Sequence, residues 1–230
     1  FVIIIFDSIR NKEMMLHNKS PAGVFWDLDT SCHFPDEYDP YQIRQSIESA
    51  LKDYLPLTIS AIGNLKRIPH PLLEPILSTG IFMKHCIRAN INIMVDMNTW
   101  RKNNPAPATI ILITDREALF EDSGVLPSIR RDKHTIITKS WRHIFSAETT
   151  SKEVKDNGSE TAWVCHLCIR SGLTFAGESY ESLTRHFKSE HHIFKEHSSR
   201  GLKVFKKFYQ EASSSLPKKT GVWWDMDTCL

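Results

Sequence analysis

The clearest indication of the fold is the stretch GVFWDLDTSC at residues 23–32. Almost the same ten letters return as GVWWDMDTCL at residues 221–230. Each copy places an apolar run directly before the pattern W-D-x-D-T, which is typical of a buried strand that ends in acids. The distance between the copies far exceeds the roughly 20 to 50 residues of a solenoid repeat. We therefore expect two copies of one domain, the second of which begins at residue 220 and is cut off after its first strand.

The composition predicts an ordinary globular chain without a membrane span. Its 230 residues are 41% hydrophobic and 24% charged, and the formal net charge is +2. This leaves room for one domain of about 150 residues and a small appendage. The opening apolar run FVIIIF is much shorter than the roughly 20 residues that cross a bilayer. We interpret residues 1–19 as a leader outside the fold, native or not.

Apolar, β-rich runs alternate with helical patterns at the spacing of βαβ units. The predicted strands are residues 24–29, 57–63, 81–86, 108–115 and 134–139, and the predicted helices are residues 41–54, 71–77, 91–100 and one from about residue 116. Continuous apolar strands between helices predict a mainly parallel sheet that is covered on both faces. The predicted fold class is therefore α/β, with three α/β/α layers.

Acidic residues collect where this sheet would end its strands. Two of them end the first strand, two follow the fourth strand, and one lies in the helix between, namely Asp27, Asp29, Asp115, Glu117 and Asp96. Ligands of parallel sheets bind at the carboxyl ends of the strands, and clustered carboxylates repel one another unless a cation lies between them. The pattern favours Mg²⁺ or Mn²⁺, because hard ions prefer oxygen ligands. Helix capping and strand termination are the alternative explanation for these acids.

Three motifs in order, GVFWDLDTSC, IMVDMNTW and NPAPATIILITD, resemble an NYN domain. This PIN-like nuclease fold occurs in meiosis regulator and mRNA stability factor 1 (limkain-b1) proteins and in plant putative endonucleases. The resemblance covers about residues 20–147 and implies a Mg²⁺- or Mn²⁺-dependent endoribonuclease that cuts single-stranded RNA and regulates gene expression. It implies catalytic roles for Asp27, Asp29, Asp96, Asp115 and Glu117, with the metal ion on Asp27, Asp96 and Asp115. It also implies an association with peroxisomes, although no targeting signal is visible and the cytoplasm is the default location.

Two departures from the family pattern concern these acids. The family often has W-D-x-E-N where this chain has D-T at residues 29–30, and often D-x-D-F where it has D-R-E-A at residues 115–118. Glu117 keeps a carboxylate, but its side chain is one methylene longer than the family's Asp. Arg116 adds a fixed cation beside the site. Because catalysis falls steeply when groups shift by about 1 Å, both departures affect the expected activity. Two functions stay open: an active nuclease, and a degenerate domain that serves as an RNA-binding or protein-interaction module.

A C2H2-type zinc finger is predicted over residues 163–195, with zinc ligands Cys165, Cys168, His186 and His191. Two thiolates and two neutral imidazoles suit tetrahedral Zn²⁺. His192 is the alternative fourth ligand, because it directly follows His191. A segment this short needs the metal in order to fold, and whether the finger also contacts RNA or DNA stays open.

The remaining segments complete the predicted organisation. Residues 148–162 are polar and predict a flexible linker, and residues 196–219 predict a basic helix and a second linker. Between Arg185 and Lys219 nine Lys or Arg residues accompany three acids, which favours a polyanion partner. A solvated helix face is the alternative. The predicted nucleic-acid-binding residues are Arg185, Lys188, Lys203, Lys206 and Lys207, with single-stranded RNA as the expected partner.

Overall fold

A computed structural model of the chain describes residues 20–30, 39–145, 163–169 and 175–199. The predictions for the leader, the linker and the second copy lie outside these described residues, as do those for Lys203, Lys206 and Lys207. The chain divides into two compact units, Phe1–Phe187 and Lys188–Leu230. In the second unit residues 190–199 form a helix, here called α9.

One sheet of seven strands organises the described part of the first unit. Its strands are β1 (Ala22–Asp27), β2 (Leu57–Gly63), β3 (Phe82–His85), β4 (Thr109–Ile113), β5 (Thr135–Lys139), β6 (Trp163–Cys165) and β7 (Ala176–Gly177). The strand order is β5-β4-β1-β2-β3-β6-β7. Neighbouring strands are parallel except for the antiparallel pair of β6 with β7. The predicted α/β class with a mainly parallel sheet is confirmed.

The helices of the first unit contribute to two separate hydrophobic clusters. They are α1 (Ile43–Ala50), α2 (His70–Ser78), α3 (Ala89–Asn103), α4 (Glu117–Asp122), α5 (Val125–Arg131), α6 (Trp141–Phe145), α7 (His166–Ile169) and α8 (Tyr180–Phe187). One cluster contains residues of α1, α2, α6 and α8, and the other contains residues of α3, α4 and α5. Successive side chains of β1 alternate between the clusters, since Trp26 belongs to the first and Phe25 to the second. This arrangement is compatible with the predicted three layers.

The α3 helix illustrates why the local sequence pattern predicted much of the fold. Ile93 and Met97 lie four residues apart on one helical face, and both are fully buried. Asn104 ends the helix directly before Pro105, and its side-chain amide donates a hydrogen bond to the Trp100 carbonyl over 2.8 Å. The predicted helix at residues 91–100 is confirmed and extends by a few residues at each end.

Two predicted helices are interrupted in the structure. The region predicted as one helix at residues 41–54 contains α1 between two short 3-10 helices, Pro40–Gln42 and Lys52–Tyr54. Gly124 divides the helix predicted from residue 116 into α4 and α5, because its φ of 75° is incompatible with an α-helix. No helix of the described residues is long and apolar enough to cross a membrane.

The predicted finger differs most from expectation, because its first strand belongs to the large sheet. β6 pairs in parallel with β3, and Cys165 lies opposite His85 in the register. Its three residues are at most 2% exposed. The segment was predicted as an appendage beyond a linker, but its first strand extends the sheet at β3.

Candidate metal centre and acidic strand edge

Asp27 ends β1 as a fully buried carboxylate that is already bound by a protein cation. The Arg116 guanidinium donates from Nη2 to Oδ2 over 2.8 Å and to Oδ1 over 3.0 Å, and from Nε to Oδ2 over 3.3 Å. Thr114 Oγ1 donates a further bond to Oδ2 over 2.9 Å. Burial raises the pKa of Asp27, while the hydrogen bonds and the charge of Arg116 and the Thr114 hydroxyl oppose this rise. Both carboxylate oxygens therefore face donors from the chain itself.

Asp29 is held by backbone amides at the same edge of the sheet. Its Oδ1 accepts from the Asn64 amide over 3.0 Å, and its Oδ2 accepts from the Ala89 amide, where α3 begins, over 3.4 Å. Helix N-termini favour negative charge. A Cβ atom at Gly63 would lie 3.1 Å from Asp29 Oδ1 and 2.8 Å from the Leu28 Cβ atom, so glycine leaves the space that this carboxylate occupies.

Asp96 also has a cationic partner. Lys84 of β3 places its Nζ 3.0 Å from Asp96 Oδ2, and the two side chains are only 16% and 11% exposed. Breaking such a poorly solvated pair on one side leaves the other charge without compensation. Two of the three acids that the family resemblance assigns to the metal are thus paired with basic side chains at 3.0 Å or less.

The two remaining acids lie in exposed positions. Asp115 accepts a hydrogen bond from Ser140 Oγ over 2.5 Å, and Arg142 Nε lies 4.0 Å from its second oxygen. Glu117 opens α4 as an exposed residue. Its charge helps to raise the pKa of Arg130 in α5, which pairs with Glu121 of α4.

A buried thiol without a role in the sequence prediction, Cys86, lies within electrostatic range of three of the acids. The pKa of Cys86 is raised to about 12, first by burial and then by the charges of Asp29, Asp96 and Asp27. These acids therefore share one neighbourhood at the carboxyl edge of the sheet. The apolar sequence around Cys86 indicated only that this thiol is buried. The three acids come near it through the tertiary structure, which the local sequence does not reveal.

This acidic edge does not fit a Mg²⁺ or Mn²⁺ ion in the arrangement of the structure. Within residues 20–30, 39–145, 163–169 and 175–199, no group of three or more acids brings its ligand atoms together. The oxygens of Asp27 bind Arg116 and Thr114, and Asp96 binds Lys84. A hard divalent ion needs several of these oxygens free, so the structure lends the predicted magnesium site no support.

Four buried side chains do form a group that could hold a metal ion. One ligand atom each from Cys165, Cys168, His186 and His192 lies within 4.8 Å of all the others. Their exposed fractions are 0%, 0%, 6% and 0%, and Cys168 Sγ lies 3.6 Å from His186 Nε2. Two sulfur and two imidazole ligands are compatible with Zn²⁺.

Four elements contribute one ligand each. Cys165 ends β6, Cys168 follows one turn later in α7, and His186 lies in the last turn of α8. Trp163 and Phe175 stack on the His186 ring at centroid distances of 5.4 Å and 4.8 Å. Such packing fixes the orientation of a ligand side chain. Burial raises the pKa of the Cys165 thiol to about 12, and a bound cation would favour its thiolate.

The fourth ligand was predicted as His191, with the adjacent His192 as the alternative. The group contains His192, which is fully buried, whereas His191 is half-buried and outside the group. Consecutive residues of a helix are separated by about 100° around its axis. In α9 the buried face passes through His192 and Glu196, four residues apart. The burial pattern of the helix, which ligand spacing alone does not reveal, distinguishes the two.

The two predicted nucleic-acid-binding residues within the described part of the chain are exposed. Arg185 on α8 pairs with Glu181, one helical turn earlier, over 2.7 Å. Lys188 is exposed in the turn that precedes α9. Exposed pairs one helical turn apart are weak, so this one leaves Arg185 available to a stronger anionic partner.

In comparisons with known proteins the chain matches no protein-family model and no curated protein. The likeness to NYN domains consequently rests on the three sequence motifs.

Proposed function

We propose that this chain is an NYN-like domain that binds single-stranded RNA at the carboxyl edge of its sheet without cutting it. The observation that carries this proposal is the Arg116 guanidinium bound to both oxygens of Asp27. A fixed cation at the acid that ends β1 takes the place that a catalytic metal ion would need. The electrostatic repulsion among the acids is relieved without a metal.

Exposed basic residues surround this edge and provide the contacts to phosphate groups. We call them the basic rim; they end or follow β2, β3 and β5 and comprise Lys66, Arg67, Arg88, Lys139 and Arg142. Since β2, β3 and β5 all run parallel to β1 in one sheet, residues that follow them lie at the same edge. Lys and Arg side chains bind nucleic acid chiefly through phosphates, with a strong dependence on salt.

Removing part of the basic rim tests the RNA partner. The variant Arg67→Ala/Arg88→Ala/Arg142→Ala should weaken binding to a labelled single-stranded RNA by about 10- to 100-fold. It should also flatten the slope of log K against log salt by about 2, since each phosphate contact on single strands contributes about 0.7.

A matched control removes three exposed cations from the opposite edge. Lys52, Lys102 and Arg131 precede β2, β4 and β5, and their triple alanine variant should bind RNA almost as well as the wild type. Equal losses in both triple variants, or no loss in either, would show that RNA does not bind at the basic rim.

An active nuclease is the second candidate function, and one observation favours it. Asp27, Asp29 and Asp96 act together on Cys86, so three of the acids that the resemblance makes catalytic are neighbours. The Arg116 side chain is 38% exposed, and its departure would leave Asp27 with neutral donors alone, namely the Thr114 hydroxyl and the Asp29 amide. Metal-dependent cleavage that Asp27→Asn abolishes would favour this candidate.

The Cys/His group is the proposed site of a structural Zn²⁺ ion. Cys165, Cys168, His186 and His192 would hold it, and the ion would supply the cross-link that a short, loop-rich segment needs. Four protein ligands, all buried, would complete the tetrahedral coordination of the ion and leave no open position for a substrate. This site is consequently assigned to folding and not to the chemistry of RNA.

A further inference from the structure

The zinc-binding segment is built into the sheet that carries the acidic edge. β6 extends β3 through the pairs Met83↔Trp163, Lys84↔Val164 and His85↔Cys165. One hydrophobic cluster contains Cys165, Cys168 and Leu183 of this segment together with core residues of β1, β2 and α2. The segment and the sheet therefore share one core.

Two side chains of α8 add contacts to β3 and to α2. Phe187 meets the ring of His85 edge to face at a centroid distance of 4.8 Å. Tyr180 meets His70, at the start of α2, in the same manner and at the same distance. Aromatic pairs of this kind stabilise an interface beyond the area that they bury.

β6 is too short to hold this position through its backbone alone. It has three residues, and its other neighbour, β7, has two. The Trp163 indole N–H donates to Ser182 Oγ over 2.9 Å and to the Ser179 carbonyl over 3.1 Å, which ties β6 to the start of α8. A metal on Cys165, Cys168 and His186 would join the end of β6 to both helices of the segment.

We infer that zinc at this site is a staple of the whole sheet: it holds β6 on β3 and closes an edge that would otherwise be exposed. Unpaired edge strands offer free N–H and C=O groups to other chains. Loss of the metal would release β6, uncover β3 and weaken the core next to Met83. The inference rests on the proposed zinc site and goes beyond it, because an independent finger would leave the sheet unchanged.

The test uses the whole chain with and without metal. Metal content after purification, and the absorption of a Co²⁺-substituted sample, establish whether a thiolate site is loaded. Hydrogen exchange of the loaded and chelated protein then compares the amides of Phe82–His85 with those of Thr109–Ile113, at a distance of several strands. We expect chelation to accelerate exchange in Phe82–His85 by at least about 10-fold, and to lower the single thermal midpoint by about 10 °C. Hydrogen exchange in Thr109–Ile113 should accelerate less.

Each outcome separates the inference from the zinc proposal. A chain that binds neither Zn²⁺ nor Co²⁺ overturns both. A loaded chain whose chelation leaves the exchange of Phe82–His85 and the midpoint unchanged overturns the staple alone. Cys168→Ser should reproduce chelation, whereas Cys86→Ser, which removes a buried thiol outside the group, should keep the metal and the slow exchange at β3. If Cys168→Ser does not fold, reversible chelation of the wild type decides.

Discussion

Replacing Arg116 with glutamine tests how strongly Asp27 depends on its protein cation. Loss of one partner from a fully buried ion pair costs about 3–5 kcal/mol, whereas exposed pairs contribute about 0–1 kcal/mol. Asp27 is fully buried but Arg116 is 38% exposed, and Thr114 would still donate to Asp27. We therefore expect the variant to lose about 2 kcal/mol of unfolding free energy at neutral pH, or about 4–8 °C in thermal midpoint.

The pH dependence of this loss identifies Asp27 as its source. Burial already raises the pKa of Asp27 above 3.8, and Arg116 opposes the rise, so the variant should raise it further. An acid with a raised pKa in the folded state destabilises the fold as pH increases through that pKa. The deficit of Arg116→Gln should consequently be complete at pH 8 and shrink as pH falls toward 3.8.

The assay is urea unfolding followed by tryptophan fluorescence across this pH range, in wild type, Arg116→Gln, Asp27→Asn and the double variant. In the Asp27→Asn background, Arg116→Gln should cost less than about 0.5 kcal/mol of unfolding free energy, because the interaction between the two charged side chains is already absent. A deficit that is independent of pH, or equally large in the Asp27→Asn background, would refute the role assigned to the pair.

Three further perturbations have clear expected outcomes. His192→Ala should reduce bound zinc to less than one equivalent and lower the midpoint, whereas His191→Ala should keep one equivalent; the reverse pattern in metal analysis would restore the ligand that the spacing predicted. Lys84→Met should cost about 2–4 kcal/mol because Asp96 stays poorly solvated without a partner, and adding Asp96→Asn should recover most of it in urea unfolding. Ile47→Ala, in the fully buried face of α1, should cost about 2–5 kcal/mol, and a loss below 1 kcal/mol would contradict the packing of that helix.

Local patterns predicted the parts of the fold that depend on local burial. The apolar run before Asp27 specified a buried strand, and the four-residue spacing of Ile93 and Met97 specified a helix. Both signals are contained within about ten residues. The parallel direction of strands β1 to β5 followed from their alternation with helices, whereas their order in the sheet was not predicted.

Features that depend on tertiary contacts could not be predicted from local sequence patterns. Arg116 stands next to a predicted catalytic acid in the chain, but its bonds to Asp27 cross from β4 to β1. β6 has only three residues, too few for a periodicity, and its partner β3 lies far away in the sequence. For the metal group, ligand types were predictable, and the choice of His192 over His191 needed the burial pattern of α9.

Cleavage of a labelled single-stranded RNA in Mg²⁺ and in Mn²⁺, measured beside binding of the same RNA, distinguishes a domain that only binds RNA from a nuclease. We expect the wild type to bind with a strong salt dependence and to cleave no faster than Asp27→Asn. Metal-dependent cleavage by the wild type that is absent from Asp27→Asn would contradict this expectation and show that Arg116 leaves the acid when the metal arrives.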